Sequence, residues 1–419
     1  MKHSHPHARR TALAGMAGNV LEWYDFAVYG YFAATIGKHF FPTDDPAVST
    51  VMSFGVFAIG FLARPFGGLI LGHLGDILGR RRVLMISILL MAVPTFLIGI
   101  MPTYDTLGVL APVILILLRL AQGVSVGGEL TGSVTFMLEE TDDHKKRGLA
   151  GSWSFAGAVV GVLMGSAVGA LITATLTDDQ VAAWGWRLPF LSGVVIAVFG
   201  FMMRKGLVHE VVPDHPERHA IPLLDALRNH RRAMICAIGI TAFNAAAFYL
   251  MLVYITTYLM TVVGQDAQVA FEINTANMAI LVLLIPLWGW ISDRVGIQKV
   301  LVVTVVIAVF ATIPLFWLID HKDPLFEFLG QFGMVMLLAP YLSCFATRMA
   351  FLFPTSVRMS AFSTTYNIGL AVFGGTAPLA ASYLIERDVG EFSPAYLLTG
   401  AAVLSLVALL SAPRAVEAT

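Results

Sequence analysis

The stretch GHLGDILGRRRVL (residues 72–84) has a counterpart in GWISDRVGIQKVL (residues 289–301). In both, an aspartate stands four residues after a glycine, a second glycine follows three residues later, and basic residues come next. Glycines allow close helix approach, the aspartate can cap a helix, and basic residues favour the cytoplasmic side of a membrane. Because each stretch joins two apolar runs, the repeat indicates an internal duplication of a membrane-spanning unit.

The composition is that of a membrane protein. Of the 419 residues, 57% are hydrophobic and 13% are charged, and the mean hydropathy is +0.78, far from the average of soluble domains. Cys236 and Cys344 both fall in apolar runs, so neither a disulfide framework nor a metal site is expected. The N-terminal MKHSHPHARR lacks the apolar core of a signal peptide and is expected to be a retained tail. No motif indicates nucleic-acid binding.

Twelve apolar runs are long enough for helices that span a bilayer, which need about 20 residues each. Their centres lie near residues 25, 61, 92, 120, 163, 196, 247, 281, 309, 341, 370 and 402. We therefore predict an all-α membrane protein, with twelve transmembrane helices in two pseudo-symmetric six-helix bundles around a central cavity. The predicted domains are an N-terminal bundle (1–205), a charged cytoplasmic linker (206–232) and a C-terminal bundle (233–419).

The distribution of basic residues predicts the orientation. With the N-terminus in the cytoplasm, 19 Lys and Arg residues fall in inner loops and only 4 in outer loops. This bias places both termini in the cytoplasm, because inner loops are enriched in Lys and Arg. We expect a monomer in the cytoplasmic (inner) membrane of a bacterium.

Two carboxylates stand near the middle of the first span. Glu22 lies about 17 Å from the start of that span at the rise of an α-helix, and Asp25 lies one turn further. Their spacing places them on one helical face, which Asn19 and Tyr29 extend. A charge at the bilayer centre costs on the order of 3 kcal/mol, so it normally meets a partner or a water-filled cavity. Asp25 is predicted to carry a transported proton, with Glu22 as the other candidate.

The fourth span supplies a cation at a similar depth. Arg119 lies about 17 Å from the outer end of its span, and Gln122 shares its helical face. We predict that both residues bind substrate opposite the two carboxylates. The alternative is a purely structural ion pair that holds the first and fourth spans together.

Several stretches resemble the major facilitator superfamily and, within it, the metabolite:proton symporter family. The matching stretches are GNVLEWYDFAVYG (18–30), FLARPFGG (61–68), GHLGDILGRRR (72–82), RLAQGVSVGGE (119–129), WGWRLPFLSG (184–193), FPTSVR (353–358) and YNIGLAVFGGTAP (366–378). The resemblance covers nearly the whole chain. It implies alternating access, and it departs from the family pattern at Ile297, Gln298 and Phe351, where the family usually carries charged residues.

The resemblance also implies a cytoplasmic gate that stabilises the outward-open state. Its predicted members are Asp76, Arg80, Arg64, Glu129 and Asp293. Glu129 lies about 15 Å nearer the cytoplasm than Arg119, and Arg64 is expected at a similar depth on the second span. A static cluster that only sets the orientation is the alternative.

The second half carries few charges within its spans. Arg348, expected in the cytoplasmic third of its span, is predicted to meet an anionic substrate, and ordinary positive-inside placement is the alternative. Asn244, Tyr254 and Asn367 complete the predicted substrate site. Tyrosines near span ends also serve as interfacial anchors.

These features predict proton-coupled import of a small organic anion, a di- or tricarboxylate such as 2-oxoglutarate or citrate. The additional cation Arg348 favours the anion over a zwitterion such as proline or betaine, for which aromatic side chains would replace the second cationic contact. Metabolite or drug efflux is a further alternative. No nucleophile–base pair, phosphate loop or metal-ligand cluster indicates an enzyme, and no loop is long enough for the output domain of a sensor. The proton is the only coupling ion expected, with no cofactor.

Overall fold

The computed structural model describes residues 19–20, 22–78, 80–127, 129–139, 146–194, 198 and 222–413. Within these ranges it leaves the side chains of residues 68–69, 71–78, 80–85, 129, 136, 139 and 222 undescribed. Residues 206–221 of the predicted linker lie outside the described residues, and residues 222–232 lie within them.

The first half consists of helices joined by short loops. In chain order they are α1 (22–31), α2 (Ala33–Phe40), α3 (Pro46–Leu78), α4 (Arg80–Ile100), α5 (Tyr104–Leu107), α6 (Leu110–Ser125), α7 (Glu129–Glu139), α8 (Arg147–Thr175), α9 (Asp178–Ala183) and α10 (188–194). A 3₁₀ turn, Gly185–Arg187, precedes α10.

The second half is also helical and contains three π-helical segments. Its α-helices are α11 (Pro222–Asn229), α12 (Arg231–Tyr249), α13 (Ile255–Tyr258), α14 (Ala267–Val295), α15 (Ile297–Ile319), α16 (Pro324–Ala350), α17 (Arg358–Gly369), α18 (Thr376–Glu386) and α19 (Ser393–Ser411). The π-helical segments are Leu250–Tyr254, Leu259–Val263 and Leu370–Gly375. They leave the chain continuous, so Arg231–Val263 and Arg358–Glu386 each form one uninterrupted span.

Nine described helical runs are long and apolar enough to cross a bilayer, judged by length and composition. They coincide with nine of the twelve predicted spans. The remaining three, centred near residues 25, 92 and 196, fall where the described ranges or side chains are interrupted, and Ile86–Ile100 is a shorter apolar helix. The exposed apolar side chains on these runs face outward, as expected for contact with lipid.

Glycines bring α3 and α6 into backbone contact. A Cβ atom on Gly67 would lie 2.1 Å from the carbonyl oxygen of Val124, and one on Gly123 would lie 2.0 Å from that of Gly60. Such small-residue contacts are the usual way in which membrane helices approach closely. The pair α3 and α6 therefore packs more closely than side chains would allow.

The two halves meet along long helices. α8 of the first half packs against α14 and α16 of the second, and α3 packs against α18 and the π-helical segment Leu370–Gly375. α1 lies inside this interface, where its residues from Glu22 to Tyr31 are buried. Side chains of α1 are therefore placed where the two halves meet.

Candidate functional site

The two carboxylates of α1 each form an ion pair with a buried arginine. Arg64 Nη1 lies 3.2 Å from Glu22 Oε1, and Arg119 Nη1 lies 3.3 Å from Asp25 Oδ2. None of the four side chains is more than 3% exposed. Pairing is necessary because an isolated buried charge is very costly. The site therefore holds two neutral pairs side by side, one helical turn apart on α1.

Asp25 also accepts hydrogen bonds from two uncharged side chains. Gln122 Nε2 donates to Asp25 Oδ2 at 2.7 Å, and the Thr95 hydroxyl is 2.5 Å from Asp25 Oδ1. Arg119 Nη1 also donates to Gln122 Oε1 at 2.9 Å. Arg119 and Gln122 reach Asp25 together because they stand three positions apart on α6 and so share a helical face. Sequence reasoning missed Thr95, since a single threonine in an apolar helix carries no charge that would reveal its depth.

Aromatic rings cover both arginines. The guanidinium carbon of Arg64 lies 4.3 Å from the ring centre of Phe26 and 4.2 Å from that of Phe61. The guanidinium carbon of Arg119 lies 4.6 Å from the same Phe26 ring and 4.3 Å from the ring of Tyr29. Cations over aromatic faces are attracted by the ring quadrupole, most strongly where water is absent. The Phe26 ring is thus shared between the two guanidinium groups.

Among the residues whose side chains are described, the charged partner of Arg64 is Glu22 of α1 and not another predicted gate residue. α3 has 33 residues, and Arg64 is the nineteenth of them, near the middle of the helix. The side chains of the other predicted gate residues Asp76, Arg80 and Glu129 lie outside the described part of the structure.

Asp293 joins the two halves. Its carboxylate accepts hydrogen bonds from the backbone N–H groups of Gly148 (2.6 Å) and Leu149 (3.1 Å), in the first turn of α8. A carboxylate there satisfies donors that the helix leaves unpaired, and it interacts favourably with the helix dipole. A residue of the second repeated loop thus caps a helix of the first half.

A second polar contact joins the halves further along α8. It consists of Tyr31, Ser166, Asn274, Gln331 and the Leu252 carbonyl, and we name it the Tyr31 network. The Tyr31 hydroxyl donates to the Leu252 carbonyl at 2.7 Å, Asn274 Nδ2 donates to Ser166 Oγ at 3.2 Å, and Gln331 Nε2 donates to Asn274 Oδ1 at 2.7 Å. The Leu252 carbonyl belongs to a π-helical segment, a feature frequent at functional sites.

The paired charges lie between these two contacts. Gly161 of α8 packs against Trp23 of α1, with its would-be Cβ 3.1 Å from Trp23 Cβ. Along α8, Gly161 lies about 20 Å from the Asp293 contact at Gly148 and about 8 Å from Ser166 of the Tyr31 network. The ion pairs are therefore enclosed, with contacts between the halves on either side.

We expect Asn274→Ala to loosen the Tyr31 network, because it removes the side chain that links Ser166, Gln331 and the Leu252 carbonyl. Hydrogen–deuterium exchange of the backbone from Leu250 to Tyr258 should then increase at least threefold. Exchange reports local opening directly.

The matched control for this variant is Asn277→Ala on the same helix. Asn277 is equally buried, but its hydrogen bonds to the carbonyls of Ile273 and Phe328 stay within the second half. Equal increases in the two variants would show that the Tyr31 network does not hold the halves together.

The other predicted substrate residues are placed as follows. Asn19 Nδ2 donates to Ser133 Oγ at 3.3 Å, and the Tyr29 hydroxyl donates to the Ser53 carbonyl at 3.2 Å while its ring faces Arg119. The Tyr254 ring packs against Phe54. Asn244 is buried on α12. These residues surround the interface, and only Tyr29 contacts one of the paired arginines.

Two predicted residues lie elsewhere. Arg348 Nη2 donates to the Pro413 carbonyl at 2.9 Å, just beyond the end of α19. Asn367 Nδ2 donates to the Gly127 carbonyl at 2.9 Å, which is a contact between the halves. The contacts described for Arg348 give it no part in the cluster of Glu22 and Asp25.

Several polar atoms near the ion pairs have no hydrogen-bond partner among the described residues. They are buried and include Arg64 Nε and Nη2, Arg119 Nε and Nη2, Trp23 Nε1 and the Tyr249 hydroxyl. A buried polar group without a partner costs about 1–3 kcal/mol, so such groups indicate a functional requirement. The six atoms named here can all donate hydrogen bonds, which suits them to an incoming carboxylate.

The sequence model of the Major Facilitator Superfamily matches residues 15–369 of this chain. The chain belongs to this superfamily. The inward-open xylose transporter XylE from E. coli matches with a TM-score of 0.73 at 14% identity, covering 98% of each chain. A D-xylose–proton symporter matches with a TM-score of 0.70 at 16% identity, covering 96% of each chain. The predicted resemblance and the fold of twelve helices in two bundles are confirmed.

Curated relatives are more similar in sequence. A putative proline/betaine transporter of Staphylococcus haemolyticus is 34% identical over 96% of this chain and 87% of its own length. OusA of Dickeya dadantii, named a glycine betaine/proline/ectoine/pipecolic acid transporter, is 34% identical over 95% of this chain and 82% of its own. The proline/betaine transporter of Salmonella typhimurium is 34% identical over 96% and 83%. The chain is a multi-pass membrane transporter of small molecules and not an enzyme.

These relatives show that the predicted substrate was wrong. Import of a di- or tricarboxylate is contradicted, because the relatives carry the names of proline and betaine transporters. The physical reason is that the prediction counted arginines as available to an anionic substrate although each of them already has a partner within the protein. Arg348, which favoured the anion, contacts the Pro413 carbonyl, and Arg64 and Arg119 are each already paired with a carboxylate.

Proposed function

We propose that this protein imports a small zwitterion, such as proline or a betaine, together with protons. The observation that carries the proposal is the pair of buried ion pairs, Glu22–Arg64 and Asp25–Arg119, enclosed by aromatic rings at the interface of the two halves. The names of the relatives support the same class of substrate.

Charge balance favours a zwitterion over an anion. The four paired groups sum to zero, so a dicarboxylate would bring two further negative charges into a site with no free cation among its described members. Burying charges without partners is costly. A zwitterion adds no net charge, and each of its ends can exchange with one member of an existing pair.

The same pairs offer a means of proton coupling. Protonation of Asp25 would remove the negative charge beside Arg119, and the guanidinium would then attract the carboxylate of the substrate. Gln122 and Thr95 hold the Asp25 side chain in place during this exchange. Each pH unit supplies about 1.4 kcal/mol per proton, and each 100 mV supplies about 2.3 kcal/mol per charge moved. Both gradients would drive uptake, because substrate and proton together carry one positive charge.

The proposal includes a location. The excess of basic residues in alternate loops supports a bacterial cytoplasmic membrane with both termini inside. In that orientation the Asp293 contact lies toward the cytoplasm and the Tyr31 network toward the outside. A gate role for Asp293 follows from this position between the halves.

The proposal predicts accumulation of zwitterions in proteoliposomes with an alkaline interior. Labelled glycine betaine or proline should accumulate, and a protonophore should abolish the accumulation. Labelled citrate should not accumulate, since even with Asp25 protonated the four paired groups offer only one net positive charge against the three negative charges of citrate. Vesicles without protein serve as the control. Accumulation of neither zwitterion, with the protein folded and reconstituted, would refute the proposed function.

A further inference from the structure

The guanidinium of Arg64 occupies a compartment suited to a different cation. Its guanidinium carbon lies 4.2 Å from the ring centre of Phe61, 4.3 Å from that of Phe26 and 5.7 Å from that of Trp23. The Glu22 carboxylate lies 3.2 Å from Nη1. We name Trp23, Phe26, Phe61 and Glu22 the aromatic box. Three ring faces and a carboxylate are the environment in which quaternary ammonium groups are recognised.

Arg64 is poorly satisfied in this position. Its Nε and Nη2 atoms are buried without a hydrogen-bond partner among the described residues, and the ring contacts cannot replace those bonds. The neighbouring Tyr249, whose ring centre is 4.8 Å from that of Phe61, has a buried hydroxyl in the same condition. These N–H and O–H groups could donate hydrogen bonds to the carboxylate of a substrate.

Asp25 and Arg119 are held differently. Asp25 accepts hydrogen bonds from Thr95 and Gln122 as well as from its arginine. Arg119 in turn donates to Gln122. Removing Arg119 from Asp25 therefore breaks a connected network, whereas moving Arg64 out of the aromatic box exchanges one cation for another.

We propose that the aromatic box is the ammonium subsite and that Arg64 occupies it as a resident cation until substrate arrives. The ammonium group of the substrate takes the place of the guanidinium against the rings and Glu22. The displaced Arg64 then joins Arg119 beside the substrate carboxylate, within reach of the same Phe26 ring. This inference rests on the proposed transport of zwitterions, which it deepens by assigning each end of the substrate.

The proposed exchange would favour zwitterions over simple cations. A cation without a carboxylate, such as choline, would displace Arg64 and leave its charge buried without a partner. A zwitterion supplies that partner itself. A quaternary ammonium cannot donate hydrogen bonds, so its binding depends on the rings, whereas the secondary ammonium of proline can also donate to Glu22.

The first test is the Arg64→Met variant, in which the box has lost its resident cation. We expect choline to bind this variant at least tenfold more tightly than the wild type, because the rings and Glu22 are then open to a cation. The preference for glycine betaine over choline should shrink at least tenfold. Both are measured by titration calorimetry on the full-length protein in detergent.

The second test, Phe61→Leu, removes one ring and keeps an apolar side chain. The Kd of glycine betaine should rise about tenfold more than the Kd of proline. Phe310→Leu, at a position 77% exposed on the lipid-facing surface, is the matched control and should change neither value. If Arg64→Met does not fold, Phe61→Leu alone tests whether the aromatic box binds the ammonium group of the substrate.

The outcomes separate this inference from the proposed function. If the folded Arg64→Met variant binds choline no better than the wild type, or if Phe61→Leu affects both substrates equally, the aromatic box is not the ammonium subsite. If the expected binding pattern is found but the wild type accumulates neither zwitterion in proteoliposomes, the subsite stands and the proposed transport fails.

Discussion

The Asp25→Asn variant should equilibrate substrate across the membrane without concentrating it. An imposed gradient of two pH units is worth about 2.8 kcal/mol per proton, which sustains accumulation of about 100-fold. An asparagine cannot exchange a proton with the solution, so the accumulation ratio in proteoliposomes should fall to about one. Exchange of labelled for unlabelled substrate should persist, because the asparagine oxygen can still accept a hydrogen bond from Gln122 while its amide group donates to the Thr95 hydroxyl.

Glu22→Gln is the matched control for this prediction. It changes the other carboxylate of α1, one turn away, by the same chemistry. We expect it to weaken substrate binding and to leave the ratio above one. Full proton-driven accumulation by Asp25→Asn would exclude Asp25 as the proton carrier, and loss of accumulation in Glu22→Gln alone would assign the proton to Glu22. The thermal unfolding midpoint of both variants shows whether the remaining arginine, left without its partner, destabilises the fold.

The second large effect concerns the glycines between α3 and α6. We expect Gly123→Ala and Gly67→Ala each to lower the free energy of unfolding by at least about 3 kcal/mol, at the upper end for overpacked cores. The added methyl group would lie 2.0 Å or 2.1 Å from a backbone carbonyl oxygen, which cannot rotate away as a side chain could. Because Arg64 stands on α3 and Arg119 on α6, separation of the helices would also move both arginines. The midpoint of thermal unfolding in detergent and the affinity for glycine betaine should both fall.

Two other helical glycines provide controls for this pair. A Cβ on Gly55 of α3 or on Gly400 of α19 would meet no atom within 4 Å. Alanine at these positions should leave the unfolding midpoint unchanged or raise it, because alanine favours a helix by about 1 kcal/mol over glycine. Equal behaviour of Gly55→Ala and Gly123→Ala would mean that α3 and α6 are not held by backbone contact.

Much of the fold could be predicted from the sequence because its signals are long or repeated. Runs of about 20 apolar residues have few interpretations, and the repeat at 72–84 and 289–301 relates the two halves. Glu22, Asp25 and Arg119 could be identified because a charge in such a run is rare and needs a partner. Depth and helical face predicted that Arg119 and Gln122 lie opposite the two carboxylates, and their contact with Asp25 in particular comes from the structure.

The rest depended on quantities that a single sequence does not contain. The partner of Arg64 is Glu22 on α1, and the relative depth and rotation of α1 and α3 are set by how the two helices pack. Thr95, Asn274 and Gln331 are uncharged, so nothing in their surroundings marks the helical face on which they act. The substrate was mistaken because charges were counted without their pairing, and Arg348 was assigned to a ligand when it binds the end of α19.

The π-helical segments have a consequence for how the two halves move. All three lie in the second half, and none occurs among the described helices of the first. A π-turn holds one residue more than an α-turn, so converting one into the other turns every later side chain of that helix by about 100°. In the first half, α3 and α6 meet in two backbone contacts that permit little adjustment. The duplication has therefore produced mechanically unequal partners, in which one half can act as a rigid frame and the other can change its helical register.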